Sequence, residues 1–570
     1  MKEFKRQVGF FLKNKLFMLF LVLAAVAGYG YVLTHGTCGI DDISIDLYFD
    51  VGIGVAIGRW PYYLINKIIP IAQYTPFIGD FMTVILLMIS AVVWCALMRT
   101  IVGEKISIWC YIVFAFLFMN YSMNADVFVF YLQNGLGWLH LFVALSLVLF
   151  WNLYAKRIGV VKQVIIRAFV IILLTVAISF YESAANLFLT GLFCVIFIEL
   201  WKNRERAVFR GKKFAMALVF ATRYLVYAMI VRRIMRAVIM RLFGILPYSF
   251  YRSVSSLEWI TKGGVGRIGA NVSEFLANIY CDYFAVGVAY YPIFLFVICS
   301  VLFFAALCYV AVRMRDGLLF ICGLGAYLSL YVLSMISGAA MEYRACQNFT
   351  LFVALVFAGI MAWVMSGKKS LQICVVIGVC VALLYSVYDM NRWFMLDYEK
   401  TEYEMQVIDQ IAEELSSGKY DIAEKPLVVV GDFVLPSEIY DKYCITSEDF
   451  GWEIVKTAVI NAYYSDGRVK DGRYCYGQNQ SSIIDWSVHA FAMYTGYNVP
   501  IQQLFEYRGY EFQWADAQLA KDVFEIYYPL DWDYYSYTYI ENYEENYLGK
   551  AQYPENGYIE EFSDYIVIRL

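Results

Sequence analysis

The chain has 570 residues, a mean hydropathy of +0.58 and 61% hydrophobic residues, which excludes a soluble globular enzyme and leaves a polytopic α-helical membrane protein. Its net charge of −4 hides a division: residues 391–570 carry 13 Lys and Arg against 32 Asp and Glu, while residues 1–390 carry 32 bases and 17 acids. A basic, apolar transmembrane region (1–390) is therefore followed by an acidic soluble domain (391–570), and nothing implies a nucleic-acid partner.

Lys2, Lys5, Arg6, Lys13 and Lys15 lead the first apolar run, 16–34, and positive charge before a first span keeps the N-terminus cytoplasmic. The run is long enough to span and ends in no small-residue cleavage site, so it reads as an anchor rather than a removed signal. Just past it, in Gly39-Ile40-Asp41-Asp42, an acid pair emerges on the far face at bilayer level. Two adjacent carboxylates raise one another's pKa, which suits a general base. The plainer reading is that Asp42 caps an amphipathic helix over 43–69, and the two readings are compatible. His35 stands either as an orienter of the pair or as a cap of the first span, and Arg59, in Ile57-Gly58-Arg59-Trp60-Pro61, is a secondary phosphate ligand.

Further apolar runs fall at 80–98, 106–120, 137–154, 166–181, 184–201, 214–231, 285–312, 318–336, 350–366 and 371–388, making eleven with the third and fifth short. With the N-terminus inside, the basic loops around Arg99, Lys156, 202–213, Arg313 and Lys368 all face the cytoplasm. Arg232, Arg233, Arg236 and Arg241 break the pattern on the outer side, as a missed helix or as a cationic patch at the interface. Two acids at loop tips are functional suspects because ionisable groups at membrane depth are costly: Asp126, in Asn124-Ala125-Asp126, and Glu182, at the tip of Ser179-Phe180-Tyr181-Glu182-Ser183. Both read otherwise as solvated loop tips. Arg344, in Met341-Glu342-Tyr343-Arg344, is placed to fork onto a phosphate, or to pair with Glu342.

An odd number of spans leaves the C-terminal domain outside. There Met405, Ile408, Ile411 and Leu415 share a helix face, 426–432 reads as a buried strand and 566–568 as the last one, so the domain is small and α/β. The tyrosines of 531–547 suit either sugar stacking or an ordinary strand surface, and Cys444 and Cys475 are the one candidate pair in the tail. No nucleotide-binding glycine loop is present, and three histidines form no metal cluster.

These features resemble the GT-C glycosyltransferases and, more closely, the GtrII-like type II O-antigen glucosyltransferases. The resemblance is carried by Ile40-Asp41-Asp42, Gly58-Arg59-Trp60, the hairpin 179–185, Tyr343-Arg344-Ala345 and the closing 553–568. It implies a bacterial cytoplasmic-membrane enzyme that uses a polyprenyl-phosphate-linked sugar, with glucose the expected sugar, and a cell-surface glycan acceptor on the outer face. On this resemblance Asp41 and Asp42 are catalytic acids, with Glu182 beside them, and Arg344 holds the donor phosphate with help from Arg59, Arg232 and Arg233. Asp126 and His35 are further candidates. No cofactor is required and a divalent metal is left open. The rival classes are a lipid-linked glycan flippase, a polysaccharide polymerase and a glycan-binding scaffold; clean spans, no internal repeat and the acid pair in the first loop favour the transferase.

Overall fold

The structure is a computed structural model that describes residues 1–39, 42, 52–68, 76–128, 136–155, 158–202, 208–245, 258–280, 293–338, 341, 343–365, 369–431, 433, 435–436, 438–439, 482–488, 498–527 and 550–570. Asp41, Cys444, Cys475 and the tyrosines of 531–547 lie outside the described residues. The chain forms two units. The first is built from Met1–Gly36 and Gly52–Met395, and the second from Leu396–Lys442 and Gln478–Leu570 with Thr37–Val51.

The first unit is a helical membrane bundle, and among the described residues eleven helices of the chain are long and apolar enough to cross a bilayer. The protein is a polytopic helical membrane protein, as the hydropathy predicts. Close helix contact comes from small residues: a Cβ on Gly191 would lie 2.6 Å from Leu147 and 2.7 Å from Trp94, so only glycine allows that approach. At one end of the bundle the N-terminal helix Lys2–Lys13 is tied down by Met1, whose amine donates to Asn152 Oδ1 at 2.7 Å, and by Arg99, which lies 3.6 Å over the Phe10 ring.

The departures from the sequence reading concentrate at the opposite end. The third crossing is short because its helix, Ile108–Asn120, breaks into a 3-10 turn at Ser122–Asn124 before the chain resumes as Ala125–Phe128. Backbone carbonyls freed at such a break need donors inside a membrane protein. Asn124 supplies them, its amide donating to Phe118 O at 3.0 Å and Met119 O at 2.9 Å, and Thr350 Oγ1 donates to Asn124 Oδ1 at 3.3 Å. The ninth crossing breaks likewise at Ser329–Tyr331, where the Asn186 and Asn348 amides each reach Leu330 O at 3.2 Å.

The fifth crossing is not short: it runs over Val160–Phe180. The arginines of 232–241 mark no missed helix. The seventh helix extends over 32 residues, Lys212–Phe243, about 48 Å at 1.5 Å per residue, and ends at Gly244 in the left-handed region. The interfacial segment is broken into Ile53–Ala56 and Trp60–Ile68 by a turn at Ile57-Gly58-Arg59. The last crossing and the helix expected near 403 are one element, Lys369–Leu415.

In the second unit Met405, Ile408, Ile411 and Leu415 are buried, as their spacing predicts. A three-stranded sheet has the order β1-β3-β2, with β1 at Leu427–Val430, β2 at Ile559–Glu561 and β3 at Ile566–Arg569. β1 pairs parallel with β3 (Val428 opposite Val567), and β2 pairs antiparallel with β3 (Ile559 opposite Ile568). Both β1 and β3 are buried throughout, which fits the apolar runs 427–430 and 566–568, and the buried Arg569 that closes β3 bonds to Ala551 O, Gly557 O and Glu560.

Candidate active site

Turns at one end of the bundle bring charged residues from distant parts of the chain together. Arg344 sits in the 3-10 turn Tyr343–Ala345, immediately before the helix Gln347–Val364, and is 7% exposed. Its backbone N–H donates to Asp126 Oδ2 at 2.8 Å, and its Nε donates to the Tyr181 hydroxyl at 3.3 Å. Asp126 is buried at the start of the short helix after the third-crossing break. The sequence paired Arg344 with a phosphate or with Glu342. Glu342 lies outside the described residues, and the described contacts tie the Arg344 main chain to Asp126.

Tyr181 ends the helix Val160–Phe180 in an extended conformation that turns the chain into the next helix, Ala184–Lys202. Its ring carries a second guanidinium: Arg59 Cζ lies 4.5 Å from the ring centroid, within cation–π range. Arg59 and Arg344 therefore meet at one tyrosine, Arg59 over its face and Arg344 at its hydroxyl.

Glu182 follows directly and pairs with Arg232 Nη2. The Arg232 guanidinium also donates to Ile57 O at 3.2 Å and Gly58 O at 3.4 Å, which ties the seventh helix to the turn that carries Arg59. This turn needs glycine. Gly58 has φ +98°, and a Cβ there would lie 2.6 Å from Arg232 Nη2. Arg233 is exposed on another face of the helix, and no described contact links it to the others.

Two residues that the sequence reading passed over support Arg344 from behind. Gln347 donates from Nε2 to Arg344 O at 3.4 Å, and the buried His140 Nε2 meets Gln347 Oε1 at 3.0 Å. A histidine in an apolar run and a Gln-Asn pair opening an apolar helix were the available signals. Tyr181 was legible only as part of a hairpin tip. Among these residues three arginines face two carboxylates, so the cluster keeps a net positive charge, which suits a singly charged phosphodiester.

The first acid pair belongs to the second unit. Asp42 is 5% exposed, and its carboxylate accepts the Gly39 N–H at 2.9 Å while its own N–H donates to Gly39 O at 3.0 Å. It thus closes a tight turn back onto 39. Cys38 donates its backbone N–H to Thr401 Oγ1 at 3.5 Å. Burial raises the Cys38 thiol well above the usual range, and the Asp42 charge adds to the rise. Nearby Lys400 and Asp397 form a buried pair at 3.4 Å. His35 belongs to the first unit and folds over its own helix end, with Nδ1 3.1 Å from Tyr31 O and its ring stacked on Tyr31. No group of three metal-ligating side chains occurs among the described residues.

The family model for the glucosyl transferase GtrII matches residues 30–363, well over half of the chain. The chain belongs to the GtrII glucosyl transferase family. The matched span takes in every arginine and carboxylate of the cluster, together with Asp42. No curated protein and no solved structure matches this GtrII chain. As a GtrII member the protein is a membrane glycosyltransferase.

Proposed function

We propose that this GtrII protein transfers glucose from a polyprenyl-phosphate carrier to a cell-surface glycan, on the outer face of the bacterial cytoplasmic membrane, in the manner of GT-C enzymes. The observation that carries the reading is the convergence of Arg59 and Arg344 on Tyr181, with Arg232 and Glu182 alongside. Guanidinium groups suit a phosphodiester because their forked donors match its oxygens. Residues 1–390 form the catalytic region, the N-terminus is cytoplasmic, and residues 391–570 form an extracytoplasmic domain.

In this reading the acceptor hydroxyl attacks the anomeric carbon and the polyprenyl phosphate leaves with the C–O bonding pair. Asp41 or Asp42 takes the hydroxyl proton, a contribution of about 10²–10⁴-fold for a positioned base. Arg344 and Arg59 neutralise the charge that grows on the departing phosphate. One displacement inverts the anomeric configuration. The sugar arrives already activated, so the reaction calls for no nucleotide.

The test is transfer from synthetic polyprenyl-phosphate glucose into surface glycan by reconstituted protein. Arg344→Ala and Arg59→Ala raise the donor KM, Arg344→Lys restores part of the loss, and Asp42→Asn with Asp41→Asn abolishes transfer. Full activity in the paired Asp variant removes the base assignment, and unchanged donor KM in both Arg variants removes the phosphate site.

A further inference from the structure

The second unit carries an aromatic and charged row that the reaction scheme above leaves unused. The helix Val499–Tyr507 ends in Tyr507, which is 69% exposed; Ile526 is the other exposed large apolar side chain of that unit among the described residues. Gly509, at φ +87°, then turns the chain back so that Arg508 and Tyr510 follow one another along the surface. Arg508 makes a two-pronged contact with Asp409, its Nε donating to Oδ1 at 3.0 Å and its Nη2 to Oδ2. Desolvation, and after it the same carboxylate, raise the pKa of the nearby Tyr510 hydroxyl. The Tyr510 ring stacks on Phe512 at 6.3 Å and 5°, and Phe512 rests on the buried Phe505 at 5.9 Å. The row is therefore fixed from below. At its other end the Tyr507 hydroxyl lies in the electrostatic field of Asp42.

We propose that Tyr507, Arg508, Asp409 and Tyr510 form a saccharide subsite that holds the acceptor glycan. The assignment rests on the transfer reaction proposed above and adds to it residues that hold the acceptor. An exposed tyrosine face offers a flat apolar surface to the C–H side of a pyranose ring. The guanidinium–carboxylate fork brings N–H donors and carboxylate oxygens into one plane, where two neighbouring hydroxyls of a sugar can each find a partner. Because the fork is internally neutral, it favours an uncharged, hydroxyl-rich ligand over a phosphate or an acidic peptide.

The experiment is saturation-transfer NMR on the full chain in lipid nanodiscs, without donor, using neutral oligosaccharides of glucose, galactose, mannose and N-acetylglucosamine. At least one oligosaccharide is expected to bind. Tyr507→Ala is expected to weaken binding about tenfold, the loss of one stacked ring, with Tyr507→Trp retaining it. Arg508→Met weakens it as well, with an unchanged melting temperature as the folding control. Absence of binding by all four sugar types, or equal binding by wild type, Tyr507→Ala and Arg508→Met, overturns the subsite; if Tyr507→Ala instead changes only lipid association, Tyr507 is a membrane anchor and the subsite is likewise overturned. Asp42→Asn is expected to bind as wild type does. If Asp41→Asn combined with Asp42→Asn also transfers glucose normally, the base assignment falls while the subsite stands.

Discussion

The backbone N–H of Arg344 and the carboxylate of Asp126 meet at 2.8 Å across 218 positions of sequence. The bond joins the short helix that follows the third-crossing break to the turn that precedes the helix Gln347–Val364. The Nε of Arg344 donates to Tyr181, so Asp126 holds the main chain of Arg344 while Tyr181 meets its guanidinium. This geometry gives Asp126 the part of a positioning residue in the proposed reaction, a reading that two substitutions test.

Asp126→Asn keeps an oxygen that can accept the Arg344 N–H, whereas Asp126→Ala does not. Transfer by the asparagine variant is expected to stay within a few-fold of wild type. The alanine variant loses about tenfold to a hundredfold, matching 1.5–3 kcal/mol for a hydrogen bond to a charged group. Equal and severe loss in both variants would show instead that Asp126 handles a proton.

Gln347→Met keeps the volume of the side chain and removes its two bonds, to Arg344 O and to His140. The donor KM is expected to rise about threefold to tenfold, the worth of one neutral hydrogen bond. An acceptor KM that stays constant in the same assay confirms that the effect passes through Arg344.

Gly58→Ala places a methyl group 2.6 Å from Arg232 in a conformation that L residues avoid. Strain of this kind costs about 1–3 kcal/mol. A lower melting temperature together with a higher donor KM is expected. A drop in stability alone would mean that the Arg59 turn does not serve the donor.

Cys38 reports the charge on Asp42. Its folded-state pKa is raised, first by burial and then by that charge, so the stabilisation from a neutral thiol is complete below the unfolded pKa of about 8.5 and declines as pH rises beyond it. In a chain with Cys38 as its one remaining cysteine, alkylation at pH 8.5 is expected to be slow. Asp42→Asn should speed it, because the charge that adds to the effect of burial is gone. An unchanged rate would mean that Asp42 is protonated in the native state, which a base cannot be.

Hydropathy made the eleven crossings legible because lipid-facing helices must be apolar over their whole length. It stopped short where a helix leaves the apolar layer and continues: Lys212–Phe243 acquires arginines and Lys369–Leu415 acquires acids, yet neither helix ends there. Asp126, Glu182, Arg59, Arg232 and Arg344 were all visible as charges out of place. Their grouping was not, because sequence spacing carries no record of which loop tips converge. Tyr181, Gln347 and His140 escaped notice for a different reason: each resembles an ordinary interfacial or buried polar residue until its partner is seen.

Asp126 also sets an order of assembly. Ribosomal synthesis delivers this acid long before the amide that will satisfy it, so the growing protein holds a poorly solvated group through the insertion of six more crossings. Fragments that stop short of Arg344 retain that defect permanently. Membrane proteases that recognise exposed polarity between helices would clear such fragments, and a stalled chain would be removed before it could occupy lipid carriers.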